Sequence, residues 1–175
     1  MQICYNLYGG GIMEDICPIQ ELVEFRADNV NFTKGLKYRS FDCWVNKELF
    51  YKIKIFKTKE NMRDYVDDDD FDAMCLTYDT YENDETKEVI FKDRNGNTYE
   101  DRLGELLFSE ENLGGGTVSH EVVHCILDWC RIGYDDFFDK LKEEDEGYEE
   151  LFAYLVGDCV KHIFNVLYDY KIIGE

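Results

Sequence analysis

An α+β fold, with a twisted, mostly antiparallel or mixed sheet packed on a C-terminal pair of helices, is what this 175-residue chain predicts. Three observations carry that expectation. Strand-like runs separated by turn signals dominate residues 50–109, helical apolar spacing takes over after residue 114, and one proline with no low-complexity stretch leaves no obvious linker. A single domain over residues 1–175 follows, with 1–113 mainly strands and short helices and 114–175 helical. Its 45% hydrophobic content is enough for one sizeable core.

The first forty residues carry weak signals: Gly9-Gly10-Gly11 marks a turn, and residues 19–25 suit a short helix. From Phe50 the pattern sharpens. Phe50 to Lys57 alternates apolar and basic residues as a strand does, and Thr58 then offers an N-cap to a helix opened by Lys59, Glu60 and Asn61 and running to about Val66. The acidic run Asp67 to Asp70, followed by Asp72, lacks the spacing and glycine of an EF-hand and reads as a solvated loop. Ala73 to Tyr81 and Glu88 to Phe91 read as two further strands, and Asn95-Gly96 closes a hairpin onto Thr98 and Tyr99. Gly104 to Ser109, apolar at its centre, is the last strand of the sheet. Gly114 to Gly116 then let the chain turn tightly into a helix; no lysine follows them, so a phosphate loop is excluded.

That helix carries His120-Glu121-x-x-His124. Residues four apart share a helical face, so the two histidines can grip one metal ion while Glu121 projects about 100° round the axis toward a water on that metal. The chain has 3 histidines in all, and two of them stand here. Neutral imidazole suits Zn²⁺, and three protein ligands leave a fourth position open for water. The metal lowers the pKa of that water and polarises a carbonyl, while a neighbouring carboxylate takes the proton and hands it on.

A third ligand is sought in the second helical pattern, residues 147–164. There Leu151, Leu155, Val156, Cys159, Val160 and Ile163 recur at helical spacing, which packs this helix on the first. Glu149 and Glu150 lie in its first turn. Acidic residues favour any helix N-terminus, and Glu150 is the leading ligand candidate, with Glu149, Glu146, Asp128 and His162 as alternatives. Tyr154, one turn after Glu150, is a candidate hydrogen-bond donor to the oxyanion of a tetrahedral intermediate, against a packing role. Asp128, one turn past His124, is placed to accept the outer N–H of a ligand histidine, against a simple exposed position. His162 reads as a surface or outer-sphere histidine.

His120-Glu121-x-x-His124 followed by Glu150-Leu151-Phe152-Ala153 resembles the zincin pattern of the ImmA/IrrE-like metallopeptidases. It is still more similar to the small zincin-like metallopeptidases encoded by phages and prophages, in which a Gly-rich turn precedes the helix and a Glu-Glu-x-Phe-Ala-Tyr-Leu segment follows. The resemblance covers roughly residues 104–164 and departs from the ImmA-like pattern in placing Tyr154, not Asn, after Ala153. It implies His120, His124 and Glu150 as zinc ligands and Glu121 as general base and acid. It also implies that the strand at 104–109 forms the upper rim of the cleft and pairs with extended substrate.

Charge and cysteine usage bound the partners. With 39 acidic against 19 basic residues, a formal net charge of −20, the field repels nucleic-acid phosphates and anionic membranes; direct nucleic-acid binding is not expected. Seven cysteines show no Cys-x-x-Cys pair and read as reduced, partly buried residues. The start lacks a basic segment and long apolar run, and no stretch approaches the ~20 apolar residues of a membrane span, so a cytoplasmic protein is expected. The expected function is a zinc-dependent peptidase acting on a peptide or protein amide. The alternative is a non-catalytic acidic protein, stabilised by zinc, that engages a basic partner or mimics nucleic acid.

Overall fold

The computed structural model describes residues 25–33, 35–68, 70–82, 89–133, 137–142 and 146–174. The turn expected at Gly9 to Gly11 and nearly all of the short helix expected at 19–25 lie outside them. The described chain is α+β, with eight strands in two sheets and four α-helices.

Strands β1 (Arg26–Asn31), β2 (Tyr38–Trp44) and β3 (Phe50–Phe56) form an antiparallel meander. The β2–β3 connection is held by Asn46, whose side-chain oxygen accepts from the backbone N–H groups of Glu48 and Leu49 at 2.9 and 2.7 Å, an Asx-type turn. The seven pairs from Tyr38↔Phe56 to Trp44↔Phe50 then follow without a bulge. Helix α1 (Lys59–Val66) starts as the sequence predicts, with the Thr58 hydroxyl accepting from Asn61 N–H, and ends at Asp67 in the left-handed conformation, φ 58°.

The stretch expected to be one strand from Ala73 to Tyr81 is divided. Strand β4 (Met74–Thr77) joins the large sheet, while β5 (Asp79–Glu82) opens a small antiparallel sheet with β6 (Val89–Lys92) and β7 (Thr98–Tyr99). Tyr78 is the divide: it belongs to neither strand, its N–H still bonds to Leu103 O of β8 at 3.0 Å, and its ring stacks on Tyr99. The Asn95-Gly96 turn closes β6 onto β7 as expected, with Gly96 at φ 84°.

Strand β8 (Arg102–Ser109) lies inside the large sheet, whose order is β1-β2-β3-β8-β4. It runs parallel to β3 and antiparallel to β4. The rim position expected for residues 104–109 is therefore corrected: Gly104 to Leu107 are paired on both sides, and β4 is the edge strand. The approach of β4 to β8 is close enough that a Cβ on Gly104 would overlap the carbonyl oxygen of Leu76.

One face of the large sheet packs on helices α2 (Gly115–Gly133) and α4 (Glu146–Asp169), in a core that includes Ile53, Ile55, Leu106, Phe108, Val122, Trp129, Leu155 and Ile163. The opposite face carries Phe56 and Leu107 under Met62 and Val66 of α1. Because both faces of β8 are covered, its sequence lacks a polar alternation. A short helix, α3 (Phe137–Lys142), stands between α2 and α4. Among the described residues no helix is long and apolar enough to cross a membrane.

Candidate functional site

Helix α2 is fixed to the sheet by Val118, Val122, Cys125, Ile126, Trp129 and Cys130, all buried at helical spacing. Gly115 and Gly116 are already helical and have no positive φ, which corrects the expectation of a glycine-dependent turn there. The lead-in is instead a 3-10 turn at Glu110–Asn112, and Thr117 Oγ1 bonds to Asn112 Oδ1 at 3.3 Å.

His120 and His124 leave the buried face and are exposed, with Nε2 atoms 3.3 Å apart and ring planes at 74°. Two nitrogens each 2.0–2.1 Å from a tetrahedral zinc ion stand roughly 3.3–3.4 Å apart. The separation of the pair, here a ring-to-ring hydrogen bond, also matches the bite of such an ion. Glu121, one residue on, sits at the margin of the buried face and is 8% exposed, beside solvent but largely sheltered from it.

Glu149 and Glu150 are both exposed on the first turns of α4, next to Leu151, which is buried in the core shared with α2. Among the described residues no three His, Cys, Asp or Glu side chains stand together as a group able to hold a metal ion. The structure thus brings the side chains of His120 and His124 together, with Glu121 at the margin of the buried face of the same helix, and does not join Glu150 to them in such a group. Tyr154 is 54% exposed on α4.

Asp128 takes a different place from the one expected of a partner to a ligand histidine. Its Oδ2 lies 3.2 Å from the hydroxyl of Tyr51 on β3, and that hydroxyl also reaches the carbonyl of Cys125 at 3.0 Å. Burial pushes the Asp128 carboxyl above the ordinary range, against the pull of Tyr51 and Arg131; burial likewise raises the Tyr51 phenol. Tyr51 therefore fastens the middle of the histidine helix to the sheet. His162 is half-buried, with Phe25 stacked 6.4 Å away and Nε2 enclosed without a partner among the described residues, and burial lowers its pKa.

Two groupings were not legible in the sequence. On the α1 side of the sheet, Lys54 Nζ bonds to Glu105 Oε1 at 2.7 Å and to Tyr65 OH at 2.6 Å, while Glu105 also accepts from Tyr78 OH at 3.0 Å and Tyr65 OH at 3.1 Å. Lys54 and Glu105 are each only 5% exposed, and burial lowers the lysine pKa despite the glutamate beside it. The only signal was a glutamate, Glu105, within the largely apolar run from Leu103 to Phe108. The second grouping is Cys75 of β4 and Cys125 of α2, whose sulfurs lie 3.1 Å apart.

Comparison of the chain with protein-family models, with curated proteins and with solved structures finds no match in any of the three.

Proposed function

We propose that the chain is a zincin-like, zinc-dependent peptidase, with His120 and His124 as metal ligands and Glu121 as general base and acid. The 3.3 Å separation of the two histidine Nε2 atoms is the observation that carries this reading. Zinc, when bound, supplies a Lewis acid for the scissile carbonyl and makes water a nucleophile near neutral pH. The chain's own residues do the rest. The two imidazoles bind and orient; Glu121, held at the margin of the core, takes a proton from water and passes it to the leaving amine. Glu150 is the proposed third ligand, which requires its exposed side chain to turn inward from the first turns of α4, and Tyr154 the proposed oxyanion donor. The rim of the cleft falls to the edge strand β4, which an extended peptide or protein substrate would augment.

A second reading has support of its own in the net charge of −20. It is an acidic binding protein in which zinc only stabilises the fold, with a basic partner or a nucleic-acid-binding protein as its target. The Glu121→Gln variant separates the two. It is nearly isosteric and alters one charge of many, so a binding surface survives it, whereas proton transfer worth about 10²–10⁴ in rate does not. The peptidase reading expects equal zinc content in the two proteins and hydrolysis of a peptide library by the wild type alone. Full biological effect in the variant, with no cleavage by the wild type, would establish the binding reading instead.

A further inference from the structure

We propose that Cys75 and Cys125 form a reversible disulfide that bolts the edge strand β4 to the histidine helix, with a low-molecular-weight disulfide such as glutathione disulfide as oxidant. The two sulfurs come from different elements, fifty positions apart in the chain, and already lie 3.1 Å from one another. A bond at about 2.0 Å needs an approach of roughly 1 Å, within the reach of side-chain rotation and a small shift of a short edge strand. Strand β4 is only four residues long, the shortest of the large sheet, and pairs with a neighbour on one side only.

Exposure sets the order of events. Cys75 is half-buried, whereas Cys43, Cys125, Cys130 and Cys159 are buried, so a small oxidant meets Cys75 first among the described cysteines. The Cys75 sulfur, losing its proton, attacks one sulfur of the glutathione disulfide; one glutathione leaves as the thiol and a mixed disulfide forms on Cys75. The Cys125 sulfur then attacks the Cys75 sulfur, its proton goes to the second departing glutathione, and the Cys75–Cys125 bond is made. Two protein thiols are oxidised and one disulfide is reduced to two thiols, which balances electrons and protons. Cys125 is suited to this second step because its turn of α2 is held from the other side, its carbonyl being bonded to Tyr51.

The bond would join the proposed substrate rim to the helix turn that directly follows His124. It does not depend on the metal reading, since neither sulfur is a proposed ligand.

The test uses the full chain, incubated in its native state with glutathione buffers of increasing oxidised fraction, then acid-quenched, denatured, alkylated and mapped without reduction. The expected result is a Cys75–Cys125 linked peptide, a loss of two alkylatable thiols, and full reversal by dithiothreitol. Cys125→Ser should stall with one glutathione on Cys75, and Cys75→Ser should take up neither modification within the described fold. Wild-type protein that keeps its native circular dichroism but accumulates glutathione on Cys75, links Cys75 elsewhere or keeps both thiols reduced under the most oxidising buffer would overturn the proposal. Because the wild-type map decides the matter alone, a variant that fails to fold leaves it testable.

Discussion

Nε2 of His124 lies 3.3 Å from Nε2 of His120 across one turn of α2, with both rings on the solvent side of a helix whose other side is core. The proposed zinc site rests on this spacing, and it makes the two histidines the first residues to test. His120→Ala and His124→Ala are each expected to release most of the bound zinc. At a free zinc level of 100 times Kd, the wild type should gain about 2.7 kcal/mol of stability that neither variant shows. Elemental analysis with thermal melts, with and without zinc, checks this; full occupancy in either variant would remove the site.

Glu150 and Glu149 face solvent at the start of α4, and only one of two adjacent helical residues can turn toward α2. Glu150→Ala is expected to weaken zinc retention at least about tenfold, the loss typical of even an outer partner of a ligand, and Glu149→Ala to leave it unchanged. Chelator competition measures both. Equal retention by Glu150→Ala and the wild type would move the third ligand elsewhere.

Asp128 gives a pH dependence whose sign is fixed by its burial. Its folded pKa is raised above the unfolded value of about 3.9, so the native state holds the proton more tightly than the unfolded chain. The stability this provides is complete below the unfolded pKa and is lost as pH rises through the raised folded value. Asp128→Asn has no such loss. The stability of the variant relative to the wild type should therefore climb across that window and stay level above it, as followed by denaturant melts from pH 3 upward. Parallel pH profiles would show that the burial of Asp128 has no energetic weight.

Much of this architecture was legible because single faces were distinct. Phe50 to Lys57 and the Thr58 cap were readable since apolar and basic residues alternated and a hydroxyl preceded a helical run. Strands β1 and β2 were missed. In β2 the residues from Ser40 to Cys43 are all buried, polar and apolar alike, so burial there left no period-two signal in the sequence. The division at Tyr78 was hidden for another reason: β4 pairs with β8, a strand remote in sequence, while β5 pairs with β6 in the other sheet. The histidine pair was legible as a motif because its geometry is local to one helix. The position of Glu150 relative to it depends on how α4 packs against α2, which no local spacing encodes.

The Lys54–Glu105 pair provides a prediction on the other side of the sheet. Glu105→Ala strands a buried ammonium with only Tyr65 to bond to, and should cost about 3–5 kcal/mol in chemical denaturation. Replacing both partners, Lys54→Met with Glu105→Leu, should cost less than the single change, since the buried ammonium goes with its carboxylate and only the more exposed Arg102, 3.5 Å from Glu105, loses a contact. A double variant as unstable as the sum of its singles would assign the energy to the tyrosine hydroxyls instead.

The parallel pairing of β3 with β8 has a consequence for how the molecule is assembled. Phe56 and Arg102 close a crossover that contains α1 and the entire small sheet, so the chain must pay a long loop-closure entropy before the centre of the large sheet exists. Local hairpins such as β2–β3 form quickly; this junction raises the contact order and slows the search. During synthesis, the β1-β2-β3 meander emerges with one side of β3 unfilled, an open ladder waiting for a strand not yet made. The helix that bears the histidines follows directly after that late strand, so the site is among the last parts of the chain to find its place.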